Sequence, residues 1–205
     1  MLAEIIFYIF IFLFGIVIGS FLNVCIYRIP KHEDIVKTRS HCMSCGYQLK
    51  WYDMFPVFSY LFLRGRCRKC HAKLSVQYPL IEAANGILYV MIVWIHGMTI
   101  TSILYCLLVS ALLVISVIDF RTFEIPLGIN IFILILGIVV LIHELGHFIT
   151  AKSFGVYCSE FSIGMGPKIF SRKKGETEYE IRALPIGGFV SMAGEADNDI
   201  EEFKD

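Results

Sequence analysis

Four long apolar stretches dominate this chain and leave few folds open to it. They run from about Ile5 to Ile26, Leu80 to Ile95, Ile100 to Ile118 and Leu127 to Ile149. A helix needs roughly 20 such residues to cross a bilayer. A signal peptide is a poor reading of the first stretch, because its apolar run is too long and no basic segment precedes it. With 57% hydrophobic and only 18% charged residues, the 205-residue chain falls outside the disordered and ordinary cytosolic classes. The formal net charge is zero, which gives no bulk attraction to nucleic acid. Lipid is therefore the expected solvent for most of the surface.

Charge orients the spans. Residues 28–79 hold ten Lys/Arg against three Asp/Glu, and by the positive-inside rule this loop is cytoplasmic. The N-terminus and the short Gly97–Thr99 turn are then outside, and Phe120–Pro126 returns to the cytoplasm. Residues 151–205 hold seven Lys/Arg against ten Asp/Glu, and four crossings put that tail outside. On the first span, Gly15 and Gly19 make a GxxxG face, continued by Ser20 and Asn23, that reads as a helix-packing surface.

The loop carries a strong metal signature. Cys42-x2-Cys45 and Cys67-x2-Cys70 have the spacing of a four-cysteine zinc ribbon, each pair giving two thiolates to one tetrahedral ion. A reducing cytoplasm disfavours disulfides. Four protein ligands leave no open position, so this zinc is expected to be structural. His41 and His71 flank the pairs as neighbours rather than ligands, while Cys25, Cys106 and Cys158 read as small apolar residues.

A run of motifs then adds a resemblance. Gly19-Ser20-Phe21-Leu22-Asn23-Val24, Tyr27-Arg28-Ile29-Pro30, both CxxC pairs, Arg64-Gly65-Arg66-Cys67, Tyr78-Pro79-Leu80-Ile81-Glu82 and Asp119-x-Arg121 with Ile125-Pro126 together resemble the type IV prepilin peptidases. The similarity runs from residue 1 to about 133. It implies an aspartic endopeptidase of the bacterial inner membrane that cuts pilin-like precursors on the cytoplasmic side. Many members also methylate the new N-terminus with S-adenosylmethionine. Such chemistry needs two carboxylates, one ionised and one protonated. Asp119 matches the first; the second belongs to a Gly-x-Gly-Asp motif, and Gly164-Met165-Gly166 is followed here by Pro167. Leu127 also stands where the family commonly has a polar residue.

The fourth stretch contains His143-Glu144-Leu145-Gly146-His147, an HExxH. On a helix its two histidines share one face and can bind zinc, with Glu144 as general base. Three ionisable residues within an apolar helix are costly unless they function or pair. With Ile142, Phe148, Ala151-Lys152, Phe154-Gly155-Val156, Gly164-x-Gly166-Pro167 and Leu184-Pro185-Ile186-Gly187-Gly188-Phe189-Val190-x-Met192-x-Gly194-Glu195, the motif resembles the start of site-2 type intramembrane zinc metalloproteases. This covers residues about 134–205. Lys168–Ser171 and Glu176–Leu184 read as strands of a β-hairpin, which in that family offers an edge to extended substrate. Glu195–Asp205 reads as a solvated tail. The family's third zinc ligand is an aspartate on a later helix. Asp119 is a poor substitute, since His143 lies roughly 24 Å along the helix from Leu127.

The expected architecture is mainly α: a polytopic membrane protein with about four transmembrane helices, a small cytoplasmic zinc ribbon and a C-terminal β-hairpin. Its expected parts are a first transmembrane helix at 1–27, the zinc-ribbon loop at 28–79, two helices at 80–126, the HExxH helix at 127–150, and hairpin plus acidic tail at 151–205. The HExxH helix of site-2 proteases runs from outside to inside, whereas the basic loop orients this one oppositely. A join between about Asn130 and Leu141 accounts for that conflict. Three readings follow: a prepilin-type membrane peptidase carrying a metalloprotease segment, a zinc metalloprotease acting on membrane proteins, or a catalytically inactive membrane protein with a structural zinc ribbon. The first two expect pilin-like or other membrane-protein substrates, and both active sites are expected to be incomplete.

Overall fold

A computed structural model describes residues Leu2–Met192. Two compact units divide between Asn130 and Ile131. The chain is mainly helical, with α1 at Leu2–Arg28, α2 at Phe58–Phe62, α3 at Gln77–His96, α4 at Ile100–Thr122 and α5 at Leu127–Ser153. Helices α1, α3, α4 and α5 are long and apolar enough to cross a membrane. A small sheet of two long strands, β1 at Cys158–Lys174 and β2 at Thr177–Met192, follows α5.

In the first unit, small residues allow α1 and α3 to approach closely. A Cβ added at Gly15 would stand 2.7 Å from the Gly86 Cα, and one at Gly19 would stand 2.7 Å from the Glu82 Cα. The GxxxG face is thus a helix-packing surface, as its spacing implies. Polar groups reinforce it. Asn85 Nδ2 donates to the Gly15 carbonyl at 2.7 Å, Ser110 Oγ donates to Asn85 Oδ1 at 3.0 Å, and the Tyr89 hydroxyl lies 2.9 Å from Ser110 Oγ. Asn85 is fully buried. In a membrane such bonds tie helices that the hydrophobic effect alone cannot hold together. Near the other end, Leu22, Cys25 and Ile26 of α1 pack with Ile81 of α3 and Val114 and Ile118 of α4.

Local signals fix the helix ends. Gly97, at φ +66°, stops α3. Thr99 then caps α4, its hydroxyl accepting from the Ser102 amide at 3.1 Å, which satisfies one of the free donors of a helix start. Phe123 closes α4 in a left-handed conformation, its amide donating to the Asp119 carbonyl.

The second unit packs its sheet on the last turns of α5. Phe148 and Ala151 meet Cys158, Phe161 and Val190, with Tyr179 and Met192 at the edge. Both strands are longer than the expected hairpin of Lys168–Ser171 and Glu176–Leu184, and each is bent. Residues 168–174 pair antiparallel with 177–182 around Gly175, and 160–163 pair antiparallel with 188–191. The same 160–163 also pair with 178–181, Glu160 to Glu178 through Ile163 to Ile181, in a register that rises in one direction. Four short segments therefore lie side by side. Gly164, Gly166 and Gly187, at φ +91°, +89° and +79°, stand in the bends, where a side chain would be strained. The expected tail from Glu195 to Asp205, with Gly194, lies outside the described residues.

Candidate functional site

The structure brings Cys42, Cys45, Cys67 and Cys70 together, with all four sulfurs within 4.8 Å of one another. Cys42 Sγ and Cys70 Sγ are 3.9 Å apart, and Cys45 Sγ and Cys67 Sγ are 4.0 Å apart. Sulfurs at about 2.3 Å from one tetrahedral zinc stand roughly 3.8 Å from each other. The donor set and its spacing fit a zinc ion.

Each pair sits on the same tight turn. The Cys42 amide donates to Tyr47 O and the Gly46 amide to Cys42 O; the Cys67 amide donates to Ala72 O and the His71 amide to Cys67 O. Gly46 and His71 occupy matching positions at φ +68° and +55°. This explains His71 without a ligand role: it is the turn residue after the second pair. Short bridges, His41 with Gln48 and Arg66 with Lys73, close the two turns. Amides of Cys70 and Lys69 hold the Cys67 thiol down to about 6. The Tyr47 amide lowers Cys45, but burial and the neighbouring thiols outweigh it and raise that thiol to about 11. Crowded sulfurs cannot all ionise unless a cation neutralises them, which is the chemistry of a thiolate metal site.

Two residues given no role by the sequence patterns brace this loop. Asp53, buried, accepts from Arg68 Nε at 2.7 Å and from the Lys50 amide at 3.3 Å. Arg28, also buried, donates to the carbonyls of Asp34, Ile35, Thr38 and Arg39. The Tyr27-Arg28 motif marked the second; no sequence pattern marked the first.

Asp119 lies in the last turn of α4 with an exposed side chain. Two residues on, the Arg121 guanidinium sits 4.1 Å from the centre of the Tyr27 ring, which stacks on Tyr78 at 5.3 Å. These contacts fix the end of α4 beside α1 and α3. Among the described residues, the cysteine quartet is where three or more potential metal ligands converge.

In the second unit, His143 and His147 meet edge to face one turn apart on α5, with their Nε2 atoms 3.1 Å from each other. Two nitrogens at about 2.0–2.1 Å from a shared tetrahedral zinc stand roughly 3.3 Å apart, a separation close to that of this pair. Glu144 is buried, while His147 is exposed. A Cβ added at Gly188 would lie 3.0 Å from Ser162 O, 3.2 Å from Leu141 Cδ1 and 3.7 Å from Glu144 Cβ. Gly188 therefore lets β2 lie directly over the Glu144 turn. The Gly187-Gly188 doublet was the available sequence signal for that approach. On the alternate face from Tyr179, the Glu180 carboxylate meets Lys168 and Arg182, and Arg182 also reaches Glu160 at 2.5 Å.

The two parts of the chain are similar to two different peptidase families. Residues 13–96 match the family model described as the bacterial peptidase A24 N-terminal domain, and residues 131–204 match peptidase family M50. A prepilin leader peptidase/N-methyltransferase of Myxococcus xanthus is 40% identical over 125 residues, covering 61% of this chain and 37% of that protein. One from Vibrio cholerae is 37% identical over 130 residues, covering 58% of this chain and 51% of its own length. The zinc metalloprotease RasP of Bacillus licheniformis is 64% identical over 70 residues, or 34% of this chain and 17% of RasP. The chain thus spans about half or less of each relative. It joins a prepilin-peptidase-like segment to a site-2-zinc-metalloprotease-like one.

Proposed function

We propose that the chain is a multi-pass protein of a bacterial inner membrane whose first unit works as part of a prepilin leader peptidase. The convergence of the four cysteine sulfurs supports this most directly, because it puts a zinc-ordered ribbon between the first two spans. The ten cations of residues 28–79 support a cytoplasmic ribbon by the positive-inside rule. In this reading 1–27, 28–79 and 80–126 form the prepilin-type part, while 127–150 and 151–205 form the metalloprotease part. Cys42, Cys45, Cys67 and Cys70 hold a structural zinc, and Asp119 supplies one catalytic carboxylate.

One carboxylate does not make an aspartic dyad. Cleavage of a pilin-like precursor needs a second, held close enough that the pair shares one proton. The proposed role of Asp119 is to take a proton from water while its partner stays protonated. Methyl transfer from S-adenosylmethionine would be a separate activity of the same segment.

The histidine pair supports a second reading. His143 and His147 would hold a catalytic zinc, which supplies Lewis-acid activation of water, and Glu144 beside them would accept the proton. Two histidines leave the ion short of its usual three protein ligands, so this reading needs a third ligand too. A membrane protein with only the ribbon zinc is what remains if neither requirement is met.

Metal analysis with cleavage assays separates these readings. About one zinc per chain is expected if only the ribbon fills, and about two if the histidine pair also does. Cleavage of a pilin-like precursor, lost in Asp119→Asn and kept in Glu144→Gln, supports the prepilin reading. The reverse pattern on a membrane-protein substrate supports the metalloprotease reading. Absence of both cleavages overturns each.

A further inference from the structure

The ribbon loop contains an apolar run that the metal site does not explain. Residues 51–63, Trp-Tyr-Asp-Met-Phe-Pro-Val-Phe-Ser-Tyr-Leu-Phe-Leu, include α2 and expose much of their apolar surface: Trp51 72%, Leu61 65% and Phe62 86%. A water-facing loop would not normally display a contiguous patch of this kind. The segment does not stand free. Phe55, Pro56, Phe58 and Phe62 line a cavity of about 560 Å³ together with Leu13, Ile16 and Val17 of α1, and Tyr52 and Arg68 line it too.

The depth of those α1 residues decides what surrounds the patch. Helix α1 has 27 residues and is about 40 Å long, while the hydrocarbon layer is about 30 Å thick. Ile16 lies about 18 Å from Arg28 along the axis. Even if all the excess length projects on the Arg28 side, Ile16 is still about 8 Å inside the hydrocarbon. The apolar side chains that pack against Leu13–Val17 approach that depth, while Tyr52 and Arg68 on the same cavity are long enough to snorkel towards the headgroups.

Backbone at that depth must be satisfied within the protein. The amides of Ser59, Leu61 and Leu63 donate to Phe55, Val57 and Ser59 carbonyls. Pro56 has no amide to satisfy. Val57 adopts φ +59°, a conformation that β-branched residues avoid, and its amide donates to Glu82 Oε2 of α3 at 2.7 Å. Glu82 therefore clamps a donor that the turn directs away from its own segment. At the start of the run, Trp51 and Tyr52 lie beside Lys50 and Arg68, both within cation–π range of the Tyr52 ring. Aromatic rings with adjoining cations mark a headgroup-level boundary.

We propose that residues 51–63 form a re-entrant segment embedded in the bilayer, with Trp51 and Tyr52 at the headgroup boundary, Phe58–Phe62 against acyl chains, and Glu82 as its anchor. The occupant of the exposed face and cavity is phospholipid acyl chain. The ribbon is then held against the membrane rather than projecting into water.

The chain's two tryptophans make this measurable. In the full chain carrying Trp94→Phe, reconstituted in phosphatidylcholine–phosphatidylglycerol vesicles, Trp51 is the sole fluorophore of its kind. Lipids brominated near the headgroup end of the acyl chains should quench it strongly, and aqueous iodide only weakly. Moving the probe with Trp51→Phe and Phe62→Trp should increase quenching by mid-chain bromines. Glu82→Gln keeps an acceptor and should retain the depth, whereas Glu82→Ala should shift both probes towards iodide. Strong iodide quenching with no effect of bromine in the Glu82-intact chain overturns the proposal. So does protection that develops only on adding a protein substrate, since the patch would then be a protein-docking surface.

Discussion

Asp53 and Arg68 join the two cysteine turns. The Arg68 Nε lies 2.7 Å from a carboxylate whose side chain is only 1% exposed, although Arg68 itself is half exposed. Asp53 follows the first CxxC pair and Arg68 lies within the second. Their ion pair therefore holds the ribbon's halves in the register that lets four sulfurs converge. Asp53→Asn should speed zinc loss to a chelator by on the order of tenfold, as expected when a group supporting metal ligands is altered. Arg68→Lys should do much the same, because an ammonium cannot reproduce the directed guanidinium contact. Chelator-competition kinetics on purified protein check both.

Removing the metal should unfold the ribbon and leave the helices intact. Thiolate crowding is tolerable only with a cation present, so zinc binding and local folding are one event. Chelation, or Cys67→Ser, should raise amide hydrogen exchange across 40–74 while exchange in α3 and α4 stays slow. Uniform loss of protection through the helices would contradict a purely local role.

Gly15 and Gly19 should be intolerant of any side chain. A methyl at either meets α3 backbone at 2.7 Å, and backbone cannot step aside as a flexible side chain does. Gly15→Ala and Gly19→Ala should each cost about 1–3 kcal/mol through forced helix separation. Gly128→Ala is the control, because its added Cβ meets nothing within 4 Å. Thermal unfolding in detergent should separate the two groups.

The sheet should weaken in acid. Burial works to raise the Glu180 carboxyl, but Lys168, Glu160 and Arg182 outweigh it and hold it below the usual carboxylate range. A depressed folded value contributes stability above the unfolded value, near about 4.3, and loses it as pH falls through the folded one. Exchange at residues 177–182, corrected for intrinsic rate, should therefore accelerate below about pH 4. Glu180→Gln should flatten that dependence.

Much of this architecture was legible because long apolar runs and CxxC spacing are unambiguous. Helices α1, α3, α4 and α5 follow directly from hydropathy, and the quartet from the positions of four cysteines. The sheet was only half legible. Gly164, Gly166-Pro167 and Pro185 to Gly188 are ordinary strand breakers, yet here they lie within paired strands that bend and return, so the pattern showed only the part nearest Gly175. Asp53 and Glu82 were harder still. Their partners, Arg68 and the Val57 amide, are distant in sequence, and neither pairing leaves a periodic trace. Asp119 was legible as a residue but not as a site, since a dyad is a relationship between two side chains.

Arg28 reaches four carbonyls of the following loop, at 2.7–3.5 Å, so residues 34–39 form a collar around its guanidinium. A planar five-donor head can span such a ring, whereas a lysine offers a single point. Arg28 is the last residue of α1, and its guanidinium is buried within this collar. Its role is that of a latch: it makes the chain's exit from the bilayer a shaped turn instead of a loose tether.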